Sequence, residues 1–256
     1  QLLGMSIPEN SPCSSYSLSL RVAIRYLSYL EEEGIQNIKI EFDDQGNLKI
    51  NEVLFSKLDK DAGGYHLPEE ESRGYQILLN YRSPQKIAET ITLTELLDGT
   101  LDFKLAELVK DKIVLIGTDA DEVGYEDMHF TPYNEEIPGV MIHGQMISQI
   151  LSAVLNGRTL LWWWPQAVEN LWVWVWSFIG GILGICLIRR VFTRWLIGIT
   201  VAAVPFTLWR ICFLVFVERG GWLPLVPSIL GFLLTGIAMI VYHQICLLYT
   251  SDAADD

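Results

Sequence analysis

VMIHGQMISQILSAVLNGRTLLWWWPQAVENLWVWVWSFIGGILGICLI, residues 140–188, holds two kinds of helix on either side of a short break, and the contrast between them decides the fold. Residues 140–155 are apolar with polar side chains interspersed, as expected of the last helix of a water-soluble domain. Asn156-Gly157 breaks that run, and Trp162, Trp163, Trp164 and Pro165 follow. Residues 166–188 then carry a single charge, Glu169, close to the beginning. A bilayer core of about 30 Å needs ~20 helical residues, so this run is long enough to cross it. Two more such runs follow: 195–217 with one charge, Arg210, and 225–245 with none. Trp162, Trp163 and Trp164 before the first run and Trp222 before the third stand where an interfacial aromatic belt places its rings. The reading is three transmembrane helices, with membrane lipid as their partner.

The composition divides at the same place. The chain has 256 residues, is 50% hydrophobic with 9 Trp, and has a net charge of −13. Residues 1–160 hold 13 Lys and Arg against 26 Asp and Glu, whereas residues 161–245 hold 5 against 2. An acidic soluble part therefore precedes a nearly uncharged one. Nucleic acid is excluded as a partner, because displacing its counterions requires a basic surface. Of the four cysteines, Cys13 stands alone in the soluble part and Cys186 and Cys212 lie in apolar runs, so no disulfide framework is expected. The chain opens without Met, a charged leader or an apolar leader core, and its natural N-terminus is expected to lie upstream.

Within the soluble part, residues 17–33 place Leu18, Val22, Leu27 and Leu30 roughly on one face before Gly34, which predicts an amphipathic helix. Residues 38–42 and 48–50 read as strands joined by Asp43-Asp44-Gln45-Gly46-Asn47, a turn-rich link of hairpin length. Residues 76–81 and 112–117 are short, apolar and β-branched, as strands buried in a sheet would be. Residues 94–97 and 103–109 read as helical. The expected fold is thus a mixed α/β extracytoplasmic domain followed by three transmembrane α-helices: 1–160 for the domain, truncated at its start, and 161–245 for the anchor, with spans at about 166–188, 195–217 and 225–245.

Lys112-Ile113-Val114-Leu115-Ile116-Gly117-Thr118, an acidic stretch, Phe130-Thr131-Pro132-Tyr133, Ile137-Pro138-Gly139-Val140 and then Ile142-His143-Gly144-Gln145-Met146-Ile147-Ser148-Gln149-Ile150-Leu151 follow one another in order. That succession, with the trailing spans, resembles the second type of CHASE domain, over residues 14–245. The residue 17–30 helix and Ile77-Leu78-Leu79-Asn80-Tyr81-Arg82 also resemble it, and Gly144 stands where the family has another small residue. The resemblance implies an extracellular sensor module of bacterial signalling proteins, followed by about three spans and a cytoplasmic kinase or cyclase. Residues 246–256, CLLYTSDAADD, resemble a translated sequencing adapter and are expected to lie outside the natural protein.

Candidate chemistry concentrates in one acidic stretch. Asp119, Asp121, Glu122, Glu126, Asp127 and His129 follow the segment ending at Gly117, and His143 stands at the start of the last soluble helix. Loops at the carboxyl ends of strands are where open α/β sheets bind ligands, so Asp119, Asp127, His129, Thr131 and His143 form the candidate ligand-binding set. Carboxylates and imidazole suit a divalent cation or a polar solute, but the spacing matches no established metal loop. A solvated loop with a backbone-capping His fits the same residues. His143 fits either a pH-sensitive contact or a structural one, and Thr131-Pro132 and Pro138-Gly139 are turn chemistry as well. Neither a nucleophile elbow nor a phosphate loop nor a dinucleotide fingerprint is present, so no catalytic residue, metal or cofactor is expected. Glu69, Glu70 and Glu71 read as a solvated charge run. Arg210 either snorkels to the outer interface or pairs with Glu169.

The link between the first two spans carries Arg189, Arg190 and Arg194 with no acid, whereas the second carries one Arg and one Glu. The cation bias makes the first link cytoplasmic and sets the acidic domain outside a bacterial cytoplasmic membrane. The expected function is the sensory input module and anchor of a receptor, a homodimer responding to an extracytoplasmic ligand, with its effector outside this stretch. The alternative is a membrane-tethered, metal-assisted hydrolase using Asp119, Asp127 and His129.

Overall fold

The structure, a computed structural model, describes residues 16–35, 37–72, 74–83, 87–99, 101–118, 127–188 and 194–252. The chain forms two units: residues 1–58 with 69–160, and residues 59–68 with 161–256.

The first unit mixes helices with short strands. Ser17 starts α1 (Leu18–Glu32), its hydroxyl accepting from the Leu20 amide at 3.3 Å. Leu20, Ala23 and Leu27 are the buried face of α1. Leu18, expected among them, is 55% exposed. Nine residues at 100° each carry it half a turn away from Leu27. A meander follows: β1 (Ile40–Phe42), β2 (Leu48–Ile50) and β3 (Val53–Phe55), all antiparallel, with Leu48 opposite both Phe42 and Phe55. The Asp43 carboxylate organises the first turn by accepting from the Gln45 and Asn47 amides and from Asn47 Nδ2. The Asn47 side chain and then its amide hold that carboxyl below the usual carboxylate range. Beyond β3 come α2 (Leu93–Leu97), opened by a Thr92/Glu95 capping box, and α3 (Asp102–Val109). A hairpin, β4 (Met128–Phe130) with β5 (Glu136–Pro138), leads directly into α4 (Gly139–Asn156).

The core of this unit lies where α1 and α4 meet the meander: Leu20, Ala23, Leu27, Leu48, Ile50, Phe55, Ile77, Ile150 and Ala153. Full burial of an aliphatic or aromatic side chain contributes about 1.5–3 kcal/mol, so Leu27, Ile50, Phe55 and Ile150, each at most 1% exposed, are its main anchors. A smaller cluster joins Leu79, Ile137, Ile142 and Met146.

Two expected strands differ from the structure. Residues 76–81 and 112–117 pair in no ladder among the described residues. In the second of these Val114 is 56% and Ile116 94% exposed, so apolar composition there does not mean burial. In the first, Ile77 and Leu79 are buried, but helix side chains take the place of a neighbouring strand, as described below.

The second unit is built from α5 (Gln166–Ile188), α6 (Arg194–Arg219) and α7 (Leu225–Asp252), with a short parallel ribbon, β6 (Trp162–Trp163) and β7 (Gly221–Trp222), at one end of all three. Residues 166–188, 198–219 and 225–246 of these helices are long and apolar enough to cross a membrane. The main packing is α5 against α7, and it is a contact of backbones. A Cβ added to Gly180 would collide with the Phe232 carbonyl, and one added to Gly184 would lie 2.7 Å from the Gly236 carbonyl. Thr235 Oγ1 donates across the seam to the Ser177 carbonyl at 2.6 Å. Small residues that let backbones approach, helped by a hydroxyl bridge, are how helices associate where lipid removes the hydrophobic drive. Helix α7 runs on through residues 246–252, the stretch read as adapter.

Candidate functional site

Four members of the predicted ligand set, Asp127, His129, Thr131 and His143, fall within the described residues. Asp119, with Asp121, Glu122 and Glu126, lies outside the described residues, as do Arg189 and Arg190. Asp127 and His129 are together: His129 Nε2 lies 3.0 Å from Asp127 Oδ1, with side chains 41% and 65% exposed respectively. Such an exposed pair contributes ~0–1 kcal/mol. Its second role is structural, because the Asp127 carbonyl accepts from the Gly139 amide at 2.7 Å. A Cβ on residue 139 would run into the Asp127 carboxylate, so a larger residue where β5 turns into α4 would displace that side chain from its present position.

Thr131 is buried, and its polar atoms serve its own turn. Its amide and hydroxyl both donate to the Glu135 carbonyl, at 3.1 and 2.9 Å, and its carbonyl accepts from Asn134. Asn134 has φ 57°, the left-handed conformation that closes such a turn. His143 meets α1: its Nδ1 lies 2.8 Å from the hydroxyl of the fully buried Ser19. Residues 112–117 form no strand, so the set does not follow the carboxyl end of one. Among the described residues, no three His, Cys, Asp or Glu side chains come together as metal ligands.

The sequence reading missed the feature that dominates this unit. Gln145 and Gln149, one helical turn apart on α4 and each 1% exposed, grip the extended segment 78–82 by its peptide groups. Gln149 Oε1 accepts from the Asn80 amide at 2.6 Å while its Nε2 donates to the Leu78 carbonyl at 3.0 Å. Gln145 does the same at Arg82, accepting from its amide at 2.9 Å and donating to its carbonyl at 2.7 Å. Each carboxamide has a donor and an acceptor side by side, so it mimics the edge of a β-strand. Four peptide groups of a segment without a strand partner are satisfied this way. Beyond the end of α4, where Gly157 takes φ 65°, Arg158 Nη2 donates to the Asn80 carbonyl at 2.8 Å. Burial first, and then the Arg82 charge, pull the Arg158 guanidinium below its ordinary pKa. Alongside this clamp runs an open groove of about 290 Å³, walled by Ile87, Ile113, Leu115, Ile147 and Leu151, with Arg82 at its edge.

The family model of the CHASE2 domain matches residues 1–182, most of the chain, from ahead of α1 into α5. The chain belongs to the CHASE2 family. No curated protein and no solved structure matches it. The CHASE2 domain is a sensory domain, not a catalytic one, and here it is joined to three helices able to cross a membrane, which makes the chain a sensory membrane module.

In the membrane unit of this CHASE2 protein the belt residues cluster. Trp162 Nε1 donates to the Arg219 carbonyl at 2.8 Å, and Trp164 stacks edge-on with Trp172 at 5.5 Å. Glu169 and Arg210 do not pair. Glu169 is buried, with Oε1 unpartnered among the described residues, while Arg210 is exposed and lies 5.9 Å from the ring of its neighbour Trp209.

Proposed function

We propose that this chain is the extracytoplasmic sensory input module and membrane anchor of a bacterial signal-transduction receptor, working as a homodimer that passes a change in its outer domain to a cytoplasmic kinase or cyclase. The observation that carries the reading is the glutamine clamp. It binds α4 to segment 78–82 over a full helical turn, so a ligand that displaces this segment displaces the helix. From the end of α4 the chain runs through Gly157, residues 158–165 and the Trp162–Trp163 strand into α5. Trp rings prefer the interface and resist vertical movement, which favours rotation or tilt of the first span over a piston stroke. The unidentified ligand acts through Asp119, Asp127, His129 and His143 or through the groove beside the clamp. Placement of the domain outside rests on the arginines of the 189–194 link.

Cysteine labelling in intact cells tests the orientation, after the native cysteines have been replaced. An impermeant maleimide is expected to modify a Glu218→Cys variant and to spare Arg190→Cys. The opposite pattern would place the CHASE2 domain in the cytoplasm and end its reading as an outer sensor.

A further inference from the structure

Residues 59–68 precede α4 by some seventy positions in the sequence, yet they belong to the membrane unit. The segment is a tight loop, closed by the Leu67 amide donating to the Lys60 carbonyl at 3.0 Å and containing the 3₁₀ turn Ala62–Gly64. Gly63, with φ 58°, lies flat on the indole of Trp222: a Cβ there would sit 3.4 Å from the ring. Tyr65 packs on the same indole with ring centroids 6.3 Å apart, and Phe216 meets it edge-on at 6.2 Å. Trp222 in turn pairs with Trp163 across the β6–β7 ribbon, whose other pair is Trp162 with Gly221. This ribbon is bounded by the first residue of α5, the last of α6 and the first of α7. Helices that cross a bilayer put that end at the lipid–water boundary, whichever way they are oriented. Tyr65, Trp162 and Trp222 remain 43%, 36% and 38% exposed there.

We propose that the Asp59–Pro68 loop is a membrane-interface anchor that sets Tyr65 in the lipid headgroup layer beside Trp162 and Trp222. The CHASE2 part of the chain then enters that layer twice, at residues 59–68 and again after Leu160. Tyr and Trp combine an apolar ring with a polar edge and settle at headgroup depth. The loop's one Lys or Arg, Lys60, stands against Asp59 and Asp61, and its His66 already faces Asp61, so anionic lipid gives it no net electrostatic attraction. The partner is therefore a zwitterionic headgroup layer, bound through ring amphipathicity. The inference rests on the three helices spanning a bilayer and is independent of the receptor reading.

The test uses the full chain in phosphatidylcholine vesicles, with the native cysteines replaced and a nitroxide placed at one site at a time: Tyr65→Cys, His66→Cys, Glu70→Cys and Phe178→Cys. Collision with oxygen, which concentrates in lipid, is compared with collision with a water-soluble nickel chelate. Labels at 65 and 66 are expected to favour oxygen several-fold more than the label at 70, to the same extent with added anionic lipid or salt. His66, with its side chain 77% exposed, keeps the test valid if Tyr65→Cys disturbs the ring stack. Equal ratios at 65, 66 and 70 would overturn the anchor, and a preference that salt abolishes would overturn its aromatic basis. A label at Phe178, 70% exposed on α5, that met no more oxygen than the one at 70 would overturn spans and anchor together.

Discussion

Helices α4 and α5 follow one another in the chain and are built on opposite plans. Against water, α4 buries Ile142, Met146, Ile147, Ile150 and Ala153, and among them it hides two glutamines, each with both ends of its carboxamide hydrogen-bonded. In α5 the apolar side chains face outward, with Trp174 76% and Phe178 70% exposed, and two of its three buried residues are glycines. The solvent explains the inversion. In water the hydrophobic effect supplies the drive, and buried polar groups fix which partner is gripped and in which register. In lipid that drive is absent, so close approach of backbones and a threonine bridge must hold the seam. The same contrast indicates where each helix is vulnerable.

The largest expected effect is at the clamp. Gln149→Ala removes the partner of the part-buried Asn80 amide and Leu78 carbonyl, at about 1–3 kcal/mol for a group left dry and less for one that water reaches. A denaturant midpoint clearly below that of a surface variant such as Glu70→Ala is the expected result. Equal midpoints would mean that the two peptide groups find water without loss. Next comes Gly180→Ala, one methyl group set against the Phe232 carbonyl. Overpacking of this kind costs about 1–3 kcal/mol, and the expected outcome is weakened α5–α7 association, read as accelerated unfolding in mild detergent. Gly181→Ala is the control, since a Cβ there meets only Met239 at 3.9 Å. The smallest effect is at His129→Ala, which removes an exposed pair and should shift stability by less than about 0.5 kcal/mol. A large loss there would show that the Asp127 turn depends on its imidazole.

How much of this was legible in the sequence follows the same physics. Residues 166–188 match α5 end to end, and the other two spans and α4 agree to within a few residues at most ends, because long apolar runs and helix stops are local signals. The 43–47 turn was legible through Asp43, Gly46 and Asn47, whose chemistry is contained within the turn. The strands expected at 76–81 and 112–117 were not formed as such, because β-branched composition reports an extended chain and not the identity of its partner. Gln145 and Gln149 stand inside a family motif, yet two glutamines one turn apart look like a solvated face until Asn80 and Arg82 are seen beside them. The loop at 59–68 gave no signal at all, since Gly63 and Tyr65 acquire meaning only against Trp222, more than 150 residues away.

The claim that α4 hands its movement to α5 is tested most directly by disulfide crosslinking along residues 166–188 in the membrane-embedded receptor, with the clamp intact and in the Gln145→Ala/Gln149→Ala variant. Intersubunit crosslinks recurring with a period near 3.6 residues, and changing phase or strength when the clamp is removed, are the predicted result. The absence of any periodic crosslinking would contradict the dimer, and a pattern identical in both proteins would contradict the route from the clamp to the first span.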